Sequence, residues 1–459
     1  MISFLAISLF LIVIMLIYIY SSKSISRYGF KNINIFVMIF TLFYIVLPIL
    51  FILFEEYRDT TTLYNIVLNS LSNEEILINS VLCMTFLGLI LFVYHLRGKS
   101  KYSEPLSIKK VSIINKQLYK KVNLFADILF LSSAISIIIL ITSVGGVSQY
   151  LALGSFSRGT NTSLSDYISS GLVPLVTFSV IILVSPYLYC YLFGVKRNKW
   201  VLFKFIVSMF FAVLYLLYNQ GRAPLLLFLL PFLLSSRFME KNKTIKLILL
   251  FIICIPLLNV LNSLFTYFSY GYYSTQEQSF IASFLLEFSY PFTNFAVRET
   301  LVDIGGFRLG IDYIYWLLAL IPSSILSTIG ISKNMIETLG SVNTNSYSYI
   351  TSMENRGGIP VDFLTFNYYE GGYITLFIGL IVTGIILRII DDRFIYLSNN
   401  FAFRIILLRI TVSILNLMTN SDWAVIARTR TDIVILILFV LFVCLYSRMK
   451  SKMLKDNDL

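Results

Sequence analysis

A chain of 459 residues that is 57% hydrophobic and only 13% charged is too apolar for an ordinary soluble globular protein. Its net charge of +12 would suit a nucleic-acid-binding protein, but most of the excess lies in short segments between apolar stretches. Lys and Arg in such segments set the orientation of a membrane protein. We therefore predict an all-α, polytopic integral membrane protein that lies in the lipid bilayer and binds no nucleic acid.

Apolar stretches long enough to cross a bilayer recur along the whole chain. A rule of roughly 20 residues per helical span predicts about 11 helices, which in chain order are 2–20, 33–54, 77–96, 123–143, 171–194, 201–219, 223–236, 247–268, 372–388, 404–420 and 432–447. The first has no charged segment ahead of it and no small-residue cleavage site behind it, so we interpret it as a retained span and not a signal peptide. The spans form a single membrane domain over residues 1–459.

The basic residues predict which side of the membrane is cytoplasmic. They cluster in alternate connections and in the C-terminal tail, at 23–31, 97–121, 196–199, 237–246 and 448–455. Because cytoplasmic connections are the ones rich in Lys and Arg, the N-terminus is predicted outside and the C-terminus inside. Nine cations remain on the outer side and eight of them are arginine: Arg58, Arg158, Arg222, Arg298, Arg308, Lys333, Arg356, Arg428 and Arg430.

The longest outer segment covers residues 269–371. Connections of this length are usually functional. Its apolar stretch at 313–329 is interrupted by Pro322. A twelfth span here would place the acidic residues that follow it in the cytoplasm and the basic tail outside, so we interpret the stretch as an interfacial or re-entrant helix. A twelve-span topology is the alternative.

The turn Asn219-Gln220-Gly221-Arg222-Ala223-Pro224 joins two apolar segments with almost no loop between them. The segment after it has about 13 residues, or roughly 20 Å of helix, against a hydrocarbon core of about 30 Å. Pro224 suits the first position of that helix, whose free N–H groups and dipole would lie beside Arg222. The pattern predicts an anion site at membrane depth, with Asn219 and Gln220 as polar neighbours. The alternative is that Arg222 extends to the outer interface.

Arg409 is the other cation within an apolar stretch. It follows Arg404 by about five residues, or roughly 7 Å of helix. We expect it to reach the inner interface or to pair within the helix bundle, and we assign it no function.

The residue types on the outer side limit the chemistry. The only histidine, His95, is predicted at the cytoplasmic end of the third span, which leaves no histidine-based triad or His-ligated metal for the outer face. The four cysteines lie within apolar spans and form no CxxC pair. What remains is arginine as a bidentate partner for phosphate and carboxylate as a general base. These two parts suit an inverting glycosyl transfer from a polyprenyl pyrophosphate donor, with no metal and no cofactor.

Among the carboxylates, Glu370 is the preferred base because it lies where the long outer segment re-enters the membrane. Asp362 and Glu354 are the reserves. For each of the three, a solvated loop charge is the alternative.

Arg158, Arg298, Arg308 and Arg356 are candidate ligands for the substrate phosphates. For the last three, the alternative is an ion pair with a nearby carboxylate: Glu299, Asp303 and Glu354, respectively.

Four features of the chain point to one known family. They are the hydrophobic profile, the NQGRAPLL turn, the GGVSQYLALGSFSRG segment around Arg158, and Gly357-Gly358-Ile359-Pro360 followed by NYYEGGYITLFIGLIVTGIIL. Over most of its length the chain resembles the O-antigen and capsule repeat-unit polymerases of the Wzy type. The resemblance implies a bacterial inner-membrane enzyme that takes flipped, undecaprenyl-pyrophosphate-linked oligosaccharide repeats, transfers the growing glycan onto the next repeat and releases undecaprenyl pyrophosphate. It also implies an outward-facing site that uses Arg222 and the arginines of the long outer segment, with a flippase and a chain-length regulator as candidate partners.

Three other functions compete with this one. A flippase or transporter would share the spans but would not need so long an outer segment. A glycosyltransferase that uses a polyprenyl monophosphate sugar would place its acidic site in Glu55-Glu56-Tyr57-Arg58-Asp59, which is otherwise a solvated acidic loop. An O-antigen ligase is similar in outline, but the long outer segment of this chain lacks a histidine.

Overall fold

The computed structural model describes residues 15, 17–20, 31–54, 62–96, 116–159, 169, 172–219, 222–235, 267, 288–321, 337–353, 358–397, 401–416, 418, 420–423 and 430–456. All regular secondary structure in these ranges is helical. The helices are α1 (Asn32–Leu53, with a π turn at Leu42–Val46), α2 (Leu63–Ser70), α3 (Asn73–Leu96), α4 (Lys116–Ser143), α5 (Val147–Gly159), α6 (Val173–Ser179, continued by a 3-10 turn at Val180–Leu183 and by Ser185–Val195), α7 (Lys199–Tyr218), α8 (Arg222–Ser235), α9 (Tyr290–Ala296), α10 (Arg298–Gly305), α11 (Asp312–Leu320), α12 (Leu339–Thr351), α13 (Phe363–Tyr369), α14 (Gly372–Leu397), α15 (Phe401–Asn416) and α16 (Thr431–Asp456).

Six helices of the described chain are long and apolar enough to cross a membrane. They are α1, α3, α4, α6, α7 and α14. The apolar part of α16, Thr431–Val443, is shorter. The prediction of an α-helical, multi-pass membrane protein is confirmed at this level. The predicted spans 2–20 and 247–268 lie largely outside the described residues, so the count of 11 stays a prediction.

Most helices begin earlier or end later than the apolar runs that predicted them, because backbone hydrogen bonding continues past the apolar residues. The start of α3 shows one cause. The Ser72 backbone N–H donates to Glu75 Oε2 at 2.8 Å, and the Glu75 N–H donates to Ser72 Oγ at 3.3 Å. This reciprocal capping box begins the helix at Asn73, four residues before the predicted start at 77.

The helices form two hydrophobic groups. The first group consists of α1–α3 and α9–α14, with a core that includes Tyr44, Phe86, Phe295 and Leu380. The second group consists of α4–α8, α15 and α16, with a core that includes Tyr187. The long outer segment predicted at 269–371 therefore contributes five helices, α9–α13, to the first group, and it ends immediately before the span α14.

Helices α3 and α14 pack side by side and run in the same direction. Phe86 contacts Phe377 with ring centroids 5.8 Å apart. Farther along both helices, the Gly384 Cα lies so close to the Ile90 carbonyl that a Cβ would come within 2.9 Å of its oxygen. The predicted topology has both spans crossing from outside to inside, which requires this parallel arrangement.

A buried carboxylate ties the two groups together at the end of the bundle that is predicted to be cytoplasmic. Asp391 accepts hydrogen bonds from the backbone and side chain of Asn32, at 2.6 and 2.8 Å, and from the Tyr94 hydroxyl at 3.0 Å. Asn32 in turn accepts a hydrogen bond from Thr411 of α15. The start of α1 is thereby fixed to both groups.

Arg409 pairs within the bundle, which is one of the two outcomes expected for it. Its Nη2 lies 2.7 Å from Asp432 Oδ2, and both side chains are almost fully buried. Its Nη1 donates to the Leu227 carbonyl of α8 at 3.1 Å. The pair therefore holds α8 against α15 and α16.

Candidate functional site

The predicted site residues fall in both helical groups. Arg158 and Arg222 lie in helices of the second group and Asn219 caps the end of α7, whereas Arg298, Arg308, Asp362 and Glu370 lie in helices or connections of the first group. Gln220 and Arg356 lie outside the described residues, as do the side chains of Arg158 and Arg222. The geometry of the first group is therefore the more completely defined.

Glu370 lies in the tight connection between α13 and α14. Gly372 adopts a φ of +69°, a left-handed conformation that glycine takes without strain, and this turns the chain into the span. The Glu370 side chain is only 1% exposed. Among the described residues, neither of its carboxylate oxygens has a hydrogen-bond partner in good geometry. A buried carboxylate without such a partner is costly, which makes Glu370 a candidate for a functional role.

The polar surroundings of Glu370 include the Asp312 carboxyl group and the backbone of Gly310. Burial first, and then the negative charge of Asp312, raise the pKa of Glu370 above its ordinary value. Two carboxylates thus share one region with one nearby guanidinium, that of Arg308. In these surroundings the Glu370 carboxyl group can hold a proton, or give up and regain one during a reaction.

Arg308 is paired with Asp312, not with Asp303 as the alternative interpretation proposed. Its Nε and Nη2 donate to the two Asp312 oxygens at 2.7 and 3.0 Å, and Nη2 also donates to the Glu337 carbonyl at 2.8 Å. Helix α10 ends at Gly305, so Asp303 lies in an earlier element, whereas Asp312 lies four residues after Arg308 in the first turn of α11. Asp312 raises the pKa of Arg308, and the bidentate pair fixes the start of α11 beside Glu370.

Arg298 connects three helices. Its Nη1 donates to Asn79 Oδ1 of α3 and to the Phe295 carbonyl of α9, both at 2.7 Å. Its Nη2 donates to the Tyr373 hydroxyl of α14. The predicted pairing with Glu299 is present at 3.5 Å, but that carboxylate is 64% exposed and contributes little. In this arrangement Arg298 holds together the starts of α3 and α14, which are predicted to lie on the outer side.

Asp362 is fully buried and has structural partners. One oxygen accepts the backbone N–H groups of Leu364 and Thr365, at 3.0 and 3.2 Å, which caps the start of α13. The same oxygen accepts the Tyr44 hydroxyl of α1 at 2.6 Å. Burial raises the pKa of Asp362 to about 6. Asp362 is a predicted reserve base and also a predicted substrate-binding residue, and both roles stay predictions.

An aromatic cluster lies next to these carboxylates, and the sequence analysis did not anticipate it. Trp423 stacks on Phe366 with an interplanar angle of 3° and meets Tyr313 edge-on at 5.9 Å. The Tyr313 hydroxyl donates to Asn367 at 2.7 Å, and Glu370 is among the charges that act on Tyr313. The cluster joins three distant segments, and its only local signal was the aromatic content of 363–369. Asp312, in contrast, was detectable from its spacing of four residues after Arg308.

In the second group, helix α8 begins at Arg222 and α7 ends immediately before Asn219. The predicted helix start after the turn is confirmed, although Pro224 occupies the third position and not the first. The Asn219 N–H donates to the Tyr215 carbonyl at 2.9 Å, so this residue completes the last turn of α7. The backbone places Arg222 at a helix N-terminus, where free N–H groups favour an anion.

Two described residues between α15 and α16 contact the segment that leads into α13. The Met418 carbonyl accepts the Phe363 N–H at 3.4 Å, and the Ser421 N–H donates to the Val361 carbonyl at 2.6 Å. After this contact with the Glu370 region, α16 begins at Thr431, and Asp432 joins Arg409 in the second group. The described residues between α15 and α16 thus contact the first group, although both of these helices belong to the second.

Among the described residues, no group of three or more His, Cys, Asp or Glu side chains is arranged to hold a metal ion. No protein-family model, curated protein or solved structure matches the chain.

Proposed function

We propose that this protein is a membrane glycosyltransferase of the bacterial cytoplasmic membrane. It polymerises undecaprenyl-pyrophosphate-linked oligosaccharide repeats at the outer face, as the Wzy-type polymerases that it resembles do. The observation that carries the proposal is Glu370, a buried carboxylate without a hydrogen-bond partner among the described residues, at the start of a span and beside Arg308 and Asp312. A general base must have a carboxylate oxygen that is free to accept a proton from the substrate hydroxyl, and little bulk water around it that would compete for that oxygen.

In the proposed reaction, Glu370 removes the proton from a hydroxyl group of the acceptor sugar. The acceptor oxygen attacks the anomeric carbon of the donor glycan, and the bond from that carbon to the pyrophosphate oxygen breaks. Undecaprenyl pyrophosphate leaves with the electron pair, and the anomeric configuration inverts. The raised pKa makes Glu370 a stronger base once it is ionised, at the cost of a smaller ionised fraction at neutral pH.

The leaving pyrophosphate requires positive charge in place of a metal ion. Arg298 and Arg308 donate most of their N–H groups to protein acceptors, so we assign them to positioning. We assign phosphate binding to Arg222, at the N-terminus of α8, and to Arg158, at the end of α5, with Arg356 as a further ligand. A guanidinium can bind two phosphate oxygens at once, which an ammonium group cannot do.

Deletion of the gene tests the proposed function. The polymerase proposal predicts that single lipid-linked repeats reach the outer face and that long glycan chains disappear. Repeats that remain on the cytoplasmic face would instead identify a flippase, and an unchanged glycan length distribution would exclude both functions.

Arg222→Lys, expressed in the deletion strain, tests whether Arg222 binds the phosphates of the substrate. Because lysine keeps the charge but loses the bidentate geometry, we expect short chains at a normal protein level. Arg197→Lys, in the connection before α7 that is predicted to be cytoplasmic, is the matched control and should restore full-length glycan. Full activity of Arg222→Lys would contradict the assignment.

A further inference from the structure

Trp423 is a large aromatic side chain that remains 38% exposed although it is part of an aromatic cluster. One face of its indole stacks on the buried Phe366 ring, with centroids 6.2 Å apart. Tyr313 and Trp316 approach it at centroid distances of 5.9 and 6.4 Å. These contacts fix the orientation of the indole, so its exposed surface is a preformed apolar platform.

The groups beside this platform are polar and buried. Asp422, the preceding residue, is 4% exposed and accepts the Gly340 N–H at 3.3 Å. Asp312 precedes Tyr313 in the sequence, and Glu370 is near enough for its charge to act on the Tyr313 hydroxyl. A rigid aromatic surface with carboxylates in the same region matches a sugar ring, which has one face of C–H groups and a rim of hydroxyl donors.

A tryptophan that only anchors a protein in the membrane interface has different surroundings. Trp200 is the comparison within this chain, because it is 61% exposed in the first turn of α7 and stacks on Phe203, a neighbour on the same helix that is itself 54% exposed. Trp423 instead lies on the connection between α15 and α16 and contacts two segments that adjoin Glu370. These surroundings favour ligand recognition over lipid anchoring.

We propose that Trp423, supported by Phe366 and Tyr313, binds the sugar of the acceptor repeat by stacking and presents its hydroxyl group to Glu370. This inference rests on the proposed function, since it identifies the acceptor subsite of that reaction. The ligand class is a neutral or weakly charged pyranose at the end of an oligosaccharide.

The test is a binding measurement on the purified full-length protein in lipid nanodiscs. The probe is the mixture of oligosaccharide fragments released by partial acid hydrolysis of the surface polysaccharide of the source bacterium, followed by titration calorimetry. We expect Trp423→Ala to weaken binding about tenfold or more, because the stacking surface is lost. Trp423→Phe should keep most of the affinity, and Trp200→Ala should bind like the unmodified protein.

Two results would overturn the inference: equal binding by the unmodified protein and Trp423→Ala, or no saturable binding by the unmodified protein. Thermal unfolding of each variant identifies a folding defect, and a properly folded Trp423→Phe that loses all binding would also contradict a stacking role.

A parallel elongation assay separates this inference from the proposed function. Binding that depends on Trp423, with no elongation by the unmodified protein, would leave the sugar site standing and remove the polymerase. Elongation by Trp423→Ala at the unmodified rate would leave the polymerase standing and remove the sugar site.

Discussion

At the scale of single residues, the charges around Arg308 influence the ionisation of Glu370. Arg308 is held in a bidentate pair with Asp312, so among the described residues Glu370 has no cation to itself. Burial without a compensating charge is the condition that keeps a carboxyl group protonated above its ordinary pKa. The hydroxyl group of the acceptor sugar would provide the missing hydrogen-bond donor.

This charge balance predicts the pH dependence of elongation. The base must be ionised, so the rate should rise with pH through the raised pKa of Glu370. Asp312→Asn removes a negative neighbour that raises this pKa, and the acid limb should therefore move to lower pH. The measurement is the initial elongation rate against pH in proteoliposomes. Asp303→Asn, an exposed carboxylate of α10, is the control, and an acid limb that stays in place in Asp312→Asn would contradict the coupling.

The buried pair of Arg409 and Asp432 predicts a large stability effect. Arg409→Met alone leaves Asp432 without its partner in the core, which should cost about 3–5 kcal/mol. The double variant Arg409→Met with Asp432→Leu should recover most of that loss, because neither charge remains buried. Thermal unfolding in detergent of the unmodified protein, the two single variants and the double variant completes the double-mutant cycle. Additive losses in the double variant would mean that the pair does not act as a unit.

At the scale of helices, α3 and α14 touch where glycine allows close approach. A Cβ added to Gly384 would lie 2.9 Å from the Ile90 carbonyl oxygen and 3.0 Å from the Val93 side chain, whereas one added to Gly88 would meet nothing within 4 Å. Interfaces between membrane helices depend on such small residues.

Gly384→Ala and Gly88→Ala form a matched pair for this contact. Gly384→Ala should destabilise the bundle by about 1–3 kcal/mol, because a backbone atom must move. Gly88→Ala should be neutral or stabilising by up to about 1 kcal/mol, since alanine favours helix. Thermal unfolding in detergent gives both values, and equal effects of the two changes would show that α3 and α14 are not packed in this way.

Helix positions were largely predictable because long apolar runs have few other ways to satisfy their backbone in a membrane. Start positions such as Asn73 were missed although Ser72 and Glu75 have the spacing of a capping box. Of the short helices between 288 and 370, α11 overlaps the helix predicted at 313–329. The other four were not predicted, since they are too polar and too brief to show a period. The contact of Trp423 with Phe366 joins residues far apart in the sequence, so no local pattern could have revealed it.

At the scale of the whole molecule, two helical groups supply different parts of the proposed site. The first holds Glu370 and the aromatic cluster, and the second holds the N-terminus of α8 at Arg222. Asn32, Asp391 and Thr411 join the groups at one end. Met418 and Ser421, between α15 and α16, hydrogen-bond to Phe363 and Val361 of the first group. A reaction between a lipid-linked donor and a glycan acceptor needs two such parts, one for the pyrophosphate and one for the sugar and base.

Elongation in a reconstituted system tests the central proposal most directly. The purified full-length protein would be placed in proteoliposomes with lipid-linked repeats extracted from the deletion strain, and product length would be followed together with released undecaprenyl pyrophosphate. We expect the unmodified protein and Glu299→Gln to make long chains and to release one undecaprenyl pyrophosphate per added repeat, and Glu370→Gln to be slower by about 100-fold or more. Unextended repeats with the unmodified protein, or an undiminished rate in Glu370→Gln, would contradict the account.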